Sequence, residues 1–238
     1  PANTYSLEIS STNEDASLNG DLDITGSNIT IIGKGAGKVT VKRGSITDRV
    51  FDIRSGASVT LVNMQIENGN GVFNGGGILN NGTLTLVNVT IKNNSANAGG
   101  GIYNNGSLTM VNSTVSGNAV ATNGGGLYVV SSRSLVAHNI TVANNSASGL
   151  TSLGGGIYNQ GGTVTLKNSI LAINNSSGSG ADCNGSISSA GYTLVSSTSG
   201  CSFTTGTGDL TNTAANLAGI IYSSGNSETH ALNTGSPA

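Results

Sequence analysis

The triplet Gly-Gly-Gly occurs four times, at 75–77, 99–101, 124–126 and 154–156, with spacings of 24, 25 and 30 residues. Each triplet opens a variant of one phrase: GGGILNNGTLTLVNVTIKNNSANA, GGGIYNNGSLTMVNSTVSGN, GGGLYVVSSRSLVAHNITVANNSASG and GGGIYNQGGTVTLKNSILAINNSSGSG. A degenerate copy starts at Arg49 and an earlier one at Gly20. Self-similarity at a period of about 20–50 residues marks a solenoid, in which each unit buries its apolar face only against its neighbours.

Each phrase holds short alternating runs, such as ILN, TLTLVN and TIKNN, separated by Asn-Gly and Gly-Gly pairs. The runs are too short for helices and read as half-buried strands between turns. The reading is an all-β, right-handed parallel β-helix with 24–30 residues and three short strands per coil. Handedness follows from the near-universal right-handed crossover between parallel strands. Inward columns are expected at Val59/Leu61, Leu84/Leu86, Leu108/Met110, Leu135/Ala137 and Val164/Leu166. With strands stacked about 4.8 Å apart, roughly eight coils give a rod of about 35–40 Å. Two asparagine columns fall in register, Asn63, Asn88, Asn112, Asn139, Asn168 and Asn94, Asn118, Asn145, Asn175. Asn tolerates positive φ at corners and can satisfy backbone amides, so both columns read as structural ladders. Asn88, Asn112 and Asn139 also match N-x-S/T acceptor sequons, a pattern that ladder plus strand generates by itself.

Composition narrows the function. Only 8% of residues are charged, and Gly, Ser, Thr and Asn make up more than half of the chain. A net charge of −2 with nine scattered basic residues argues against nucleic acid, and no apolar run is long enough to span a membrane as a helix. Residues 1–20 break the repeat and read as an N-terminal cap, residues 21–181 as the coils, and residues 182–238 as a C-terminal cap and tail, all in one domain. The tail is expected either to lie along the rod or to act as a linker. Cys183 and Cys201 are 18 residues apart, about one short coil. They read either as a disulfide between adjacent rungs, implying an oxidising compartment, or as a pair of buried thiols. The chain begins at Pro1 without a Met, and reads as a processed form or an excised fragment.

The phrases GGGIYNNGSLTMVNSTVSGN and GDLDITG...DRVFDI resemble secreted bacterial right-handed β-helix proteins, many of which carry a CSLREA-type motif and a choice-of-anchor segment. DCNGSISSAGYTLVSSTSGC is similar to that family's DC-x-G...GY-x-L...C pattern, and THALNTGSPA to its usual ending. The CSLREA motif is absent, and 214–226 departs from the family's proline-containing version. The resemblance implies an exported, often surface-attached protein with no catalytic residues to carry over. The GGGIYN phrase is also similar to repeats of autotransporter-type adhesins.

Chemistry is sparse. Between 75 and 181 the only charged residues are Lys92, Arg133 and Lys167, with no acid at all. A glycosidase or lyase needs paired carboxylates or an acidic metal cluster, so the central rod has neither. Asp21, Asp23, Asp48, Arg49, Asp52 and Arg54 cluster near the N-terminus and read as a solvated face with surface ion pairs, or alternatively as a two-carboxylate site. His138 falls at a varied strand-end position, and His230 lies in the tail. Tyr103, Tyr128 and Tyr158 point outward above one another, with Leu79 and Arg54 expected in the same column. They read as stacked cover for the sheet or as an aromatic ledge for sugar rings. Thr60, Thr85, Thr109 and Thr165, interrupted by Val136, could order water as ice-binding solenoids do.

The expectation is a non-enzymatic extracellular structural or adhesive protein without cofactors or metal. Its partners would be surface glycans or further copies of itself joined end to end. A carbohydrate-binding or carbohydrate-active β-helix is the first alternative, and an ice-binding solenoid the second.

Overall fold

The computed structural model describes residues 3–7, 20–34, 39–44, 47–222 and 228–238. The N-terminal cap lies almost wholly outside these, except for a strand at Asn3–Leu7 that pairs in parallel with Val39–Arg43. The described residues form an all-β right-handed solenoid of about 7 turns, with no helix among them. The count falls one short of eight because the last coils are truncated. The sheet formed by Leu22–Ile24, Phe51–Ile53, Ile78–Asn80, Ile102–Asn104, Leu127–Val129 and Ile157–Asn159 ends at Cys183–Ser189. The neighbouring sheet continues beyond it, through Cys201–Thr204, Leu194–Val195 and Leu210–Thr211.

The pairings of the sheet that carries Ser58–Glu67 and Thr83–Lys92 are parallel and in the expected register. Ser58, Thr83, Ser107, Ser134 and Thr163 stack in one column, and Val59, Leu84, Leu108, Leu135 and Val164 in the next. The inward set is buried, with Leu61, Leu84, Leu86, Met110, Leu135, Ala137 and Leu166 wholly inaccessible. These columns join Ile78, Ile102, Leu127 and Ile157 from the adjacent sheet in one continuous narrow core. Burial of apolar surface is the main source of stability, and stacking makes it a sum of equal contributions from coil to coil.

The coil itself differs in one detail from three runs of equal standing. In the second and third coils the two longer runs merge into single strands, Ser58–Glu67 and Thr83–Lys92, which bend at Asn63 and Asn88. A separate five-stranded sheet is built from Asn70–Asn74, Ser95–Ala98, Ala119–Val120, Ser146–Ala147 and Asn175–Ser176. After it the chain turns back through Gly-Gly-Gly. Gly99 has φ +62°, where a side chain would be strained. A Cβ on Gly101 would meet the carbonyl oxygen of Gly126 at 2.6 Å and Asn118 Nδ2 at 3.1 Å. Two distinct constraints therefore fix the triplet.

The first asparagine column holds the expected left-handed corners. Asn63, Asn88, Asn112, Asn139 and Asn168 have φ between 48° and 56°. Asn88 Nδ2 donates to Asn63 Oδ1, and Asn139 Nδ2 to Asn112 Oδ1. In the second column the left-handed residue is the one before, at Asn93, Gly117, Asn144 and Ile173. Asn94 Nδ2 donates to Asn118 Oδ1, Asn118 Nδ2 to Asn145 Oδ1, and Asn145 Nδ2 to Asn174 Oδ1, at 2.9–3.0 Å. The fourth member is therefore Asn174 and not Asn175. Six residues separate the two columns in every later coil, as in Asn112 to Asn118 and Asn139 to Asn145, and six from Asn168 is Asn174. Asn175 instead enters the five-stranded sheet opposite Ser146. Asn174 Nδ2 then donates to Asp182 Oδ1, whose other oxygen accepts from Ser196 Oγ and the Ser197 amide.

Cys183 and Cys201 form a disulfide across adjacent rungs, with Cα atoms 5.6 Å apart. Closing a loop of this length is worth about 3 kcal/mol. The tail lies along the rod. Leu217–Tyr222 and Glu228–Leu232 pair antiparallel, and Glu228 and His230 reach the central coils. Thr90 Oγ1 donates to the Glu228 carbonyl, the Lys92 ammonium pairs with the Glu228 carboxylate, and Ser116 Oγ lies 2.9 Å from His230 Nε2.

Candidate functional site

The outward column on the sheet beginning at Leu22–Ile24 runs Asp23, Asp52, Leu79, Tyr103, Tyr128, Tyr158, Asn184. Asp52, not Arg54, is thus the residue above Leu79. The strand Phe51–Ile53 aligns Ile53 with Asn80, which places Arg54 beyond its end.

The three tyrosines do stack. Tyr103 and Tyr128 have ring centroids 4.6 Å apart at 27°, and Tyr128 and Tyr158 are 4.9 Å apart at 66°. The spacing is the rod's own strand repeat; the rings of Tyr103 and Tyr128 stack along the axis, and Tyr158 meets Tyr128 edge-on. Tyr128 is 8% exposed, with its faces occupied by its neighbours. Burial pushes its phenol up to about 12 and raises that of Tyr103. What the column offers to solvent is ring edges and hydroxyls. The threonine column also aligns, as Thr30, Thr60, Thr85, Thr109, Val136 and Thr165.

The N-terminal charges are not a solvated face. Asp48 and Asp52 are wholly buried, and Arg49 and Asp21 are 4% and 5% exposed. Arg49 Nη1 lies 3.0 Å from Asp21 Oδ2 and 3.2 Å from Asp52 Oδ2. Arg54 Nη1 lies 2.9 Å from Asp52 Oδ2 and 3.6 Å from Asp23 Oδ1. Asp48 and Arg49 lead directly into Val50 and Phe51, which belong to the core. Desolvation pushes the Asp21 carboxyl up to about 7, against the attraction of Arg49 and with the repulsion of Asp48, Asp23 and Asp52 behind it. Desolvation likewise raises Asp52, with Arg49 and Arg54 opposing. Oxygens of Asp21, Asp23 and Asp52 lie within 4.8 Å of one another, close enough to ligate one cation. The two guanidiniums already sit among them and supply that positive charge.

Beside the cluster the surface is cut by a cleft of about 540 Å³, with Arg54, Phe73, Leu79, Asn81, Asn105 and Arg133 on its walls. Phe73 is 59% exposed. A second hollow of about 310 Å³ adjoins it, lined by Ser58, Gly82, Thr83, Gly106, Ser107 and again Arg133. Arg133 Nε donates to Asn105 Oδ1 at 3.2 Å, and Asn105 Nδ2 donates to Asn81 Oδ1 at 2.9 Å. The sequence reading passed over Phe73, Asn81, Asn105 and the role of Arg133. The recurrence of Asn-Asn at 80–81 and 104–105 was the available signal. The inner members of those pairs form a third ladder, with Asn80 Nδ2 donating to Asn104 Oδ1 at 2.7 Å.

No protein-family model, curated protein or solved structure matches the chain.

Proposed function

We propose that this protein is a non-catalytic, exported structural or adhesive rod, in keeping with the resemblance of its repeat to secreted bacterial β-helices. The observation that carries the reading is the state of its carboxylates. The coils from 75 to 181 contain none. The three that gather on an outward sheet face or beside it, Asp21, Asp23 and Asp52, are held by Arg49 and Arg54. A carboxylate tied to two guanidiniums in a buried cluster is poorly placed to meet a polymer and to move protons on it. The disulfide supports an oxidising, extracellular setting. Asn, Ser and Thr columns on the outer faces support a surface that recognises polar partners through many weak contacts.

The test is a search for turnover. The protein is incubated with pectate, alginate and hyaluronan while reducing ends and unsaturated products are followed. The expected outcome is no product. Product release that disappears in Asp21→Asn or Asp52→Asn would overturn the reading and make the N-terminal cluster an active site.

A further inference from the structure

We propose that the cleft between Phe73 and Arg133 binds an acidic oligosaccharide, with a uronate carboxylate on the Arg133 guanidinium. The proposal rests on the non-catalytic adhesive reading and supplies its ligand class.

Arg133 is exposed, in the turn between Leu127–Val129 and Ser134–His138. No carboxylate lies within ion-pairing distance of it among the described residues, and the sequence from 75 to 181 has none to offer. It is nonetheless held in place. Its Nε is tied to Asn105, which is tied in turn to Asn81, so two successive coils fix one edge of the guanidinium. The terminal nitrogens remain to meet a ligand. A fixed, planar fork of donors matches the two oxygens of a carboxylate. A pre-oriented side chain also loses less rotamer freedom on binding than a mobile lysine would.

The rest of the cleft suits a sugar ring. Phe73 presents most of an aromatic side chain to water, and Leu79 adds apolar surface beside it. Apolar C–H faces of a pyranose pack on such a surface, while Asn81 and Asn105 can meet its hydroxyls. The adjoining hollow extends the binding surface across three coils, with Ser58, Thr83 and Ser107 in register along its floor. A volume of about 540 Å³ lies within the range of ligand clefts. Charge selects among polyanions. Arg49 and Arg54, which also line the cleft, are already paired with Asp21, Asp52 and Asp23, so Arg133 is the cation left to meet a carboxylate. One such cation matches one carboxylate per ring.

The test is calorimetric titration of the whole chain with tetrasaccharides of galacturonate, mannuronate and hyaluronan, each compared with its methyl ester, which removes the charge and keeps the ring. At least one acid form should bind, and its ester should bind at least about tenfold more weakly, the value of one charge-assisted hydrogen bond or more. Arg133→Gln should lower the affinity for the acid to that of the ester. Phe73→Ala should weaken both forms, and Lys167→Gln should leave both unchanged. Failure of every acid to bind, or binding that ignores Arg133→Gln, overturns the cleft while the non-catalytic reading stands. Cleavage of the same oligosaccharides overturns that reading instead.

Discussion

The first coils and the central coils solve one problem with opposite chemistry. A parallel β-helix places each residue directly above its counterpart about 4.8 Å away, so like groups must tolerate one another. From Asn80 onward the rod uses carboxamides, each both donor and acceptor, and the columns stabilise themselves. Upstream, Asp23 sits on Asp52, a pair of like charges that repel. That arrangement persists only because Arg49 and Arg54 stand beside it. The neutral column can be extended by repetition, whereas the charged one is a local construction.

Arg49→Gln should have the largest effect, because removing one partner strands buried carboxylates, at about 3–5 kcal/mol. Equilibrium urea unfolding measures it, and a loss under 1 kcal/mol would mean the cluster is effectively solvated. Asn118→Ala comes next. It deprives the buried Asn94 amide of its acceptor, at about 1–3 kcal/mol, and leaves Asn94 Nδ2 with the Ile66 carbonyl alone. A near-neutral result would show that the ladder is geometry without energy.

A pH series sharpens the contrast further. With its folded pKa raised to about 7, Asp21 holds its proton more tightly in the native state than in the unfolded chain. Its contribution is therefore full below about pH 4 and is lost as pH rises to about 7. Melting temperature should fall across that window, and Asp21→Asn should flatten the slope. An unchanged slope would place the titration elsewhere. The smallest effect is expected at Asn112, whose φ is 50°. Asn112→Ala should cost about 1–2 kcal/mol through left-handed backbone strain, and Asn112→Gly much less. Equal losses would assign the residue's value to its side-chain hydrogen bonds.

The repeat made the solenoid legible because apolar alternation and Gly-Gly-Gly spacing report backbone geometry directly. The inward columns and the left-handed corners of the first asparagine column follow from counting, whereas the spacing of the cysteines allowed either a disulfide or two buried thiols, and the column above Leu79 was placed two residues out, at Arg54 instead of Asp52. The register of the last ladder member did not follow, because the Asn-Asn-Ser of 174–176 mimics that of 144–146 while only Asn174 keeps the six-residue interval. The N-terminal cluster was legible as a set of residues but not as a buried one. Burial of a charged segment depends on which groups meet it from other coils, as Arg49 meets Asp21, and no periodicity encodes that. The cleft was hidden for a related reason. Phe73 and Arg133 are 60 residues apart and belong to different coils, so only the stacking brings them to one hollow.

The hydrogen-bonded file from Asn94 to Asp182 has a direction. Every carboxamide in it hands its N–H to the coil that follows, and the last receiver is a carboxylate, which accepts and has nothing to pass on. Asp182 is thus a stop sign written into the repeat. A duplicated coil inserted anywhere upstream would find a donor behind it and an acceptor ahead, and the rod would lengthen by one rung without a new ending. A coil added after Asp182 would meet no side-chain donor from this file. Rod length in such a molecule is open to change by gene duplication from within, while its far end stays the same.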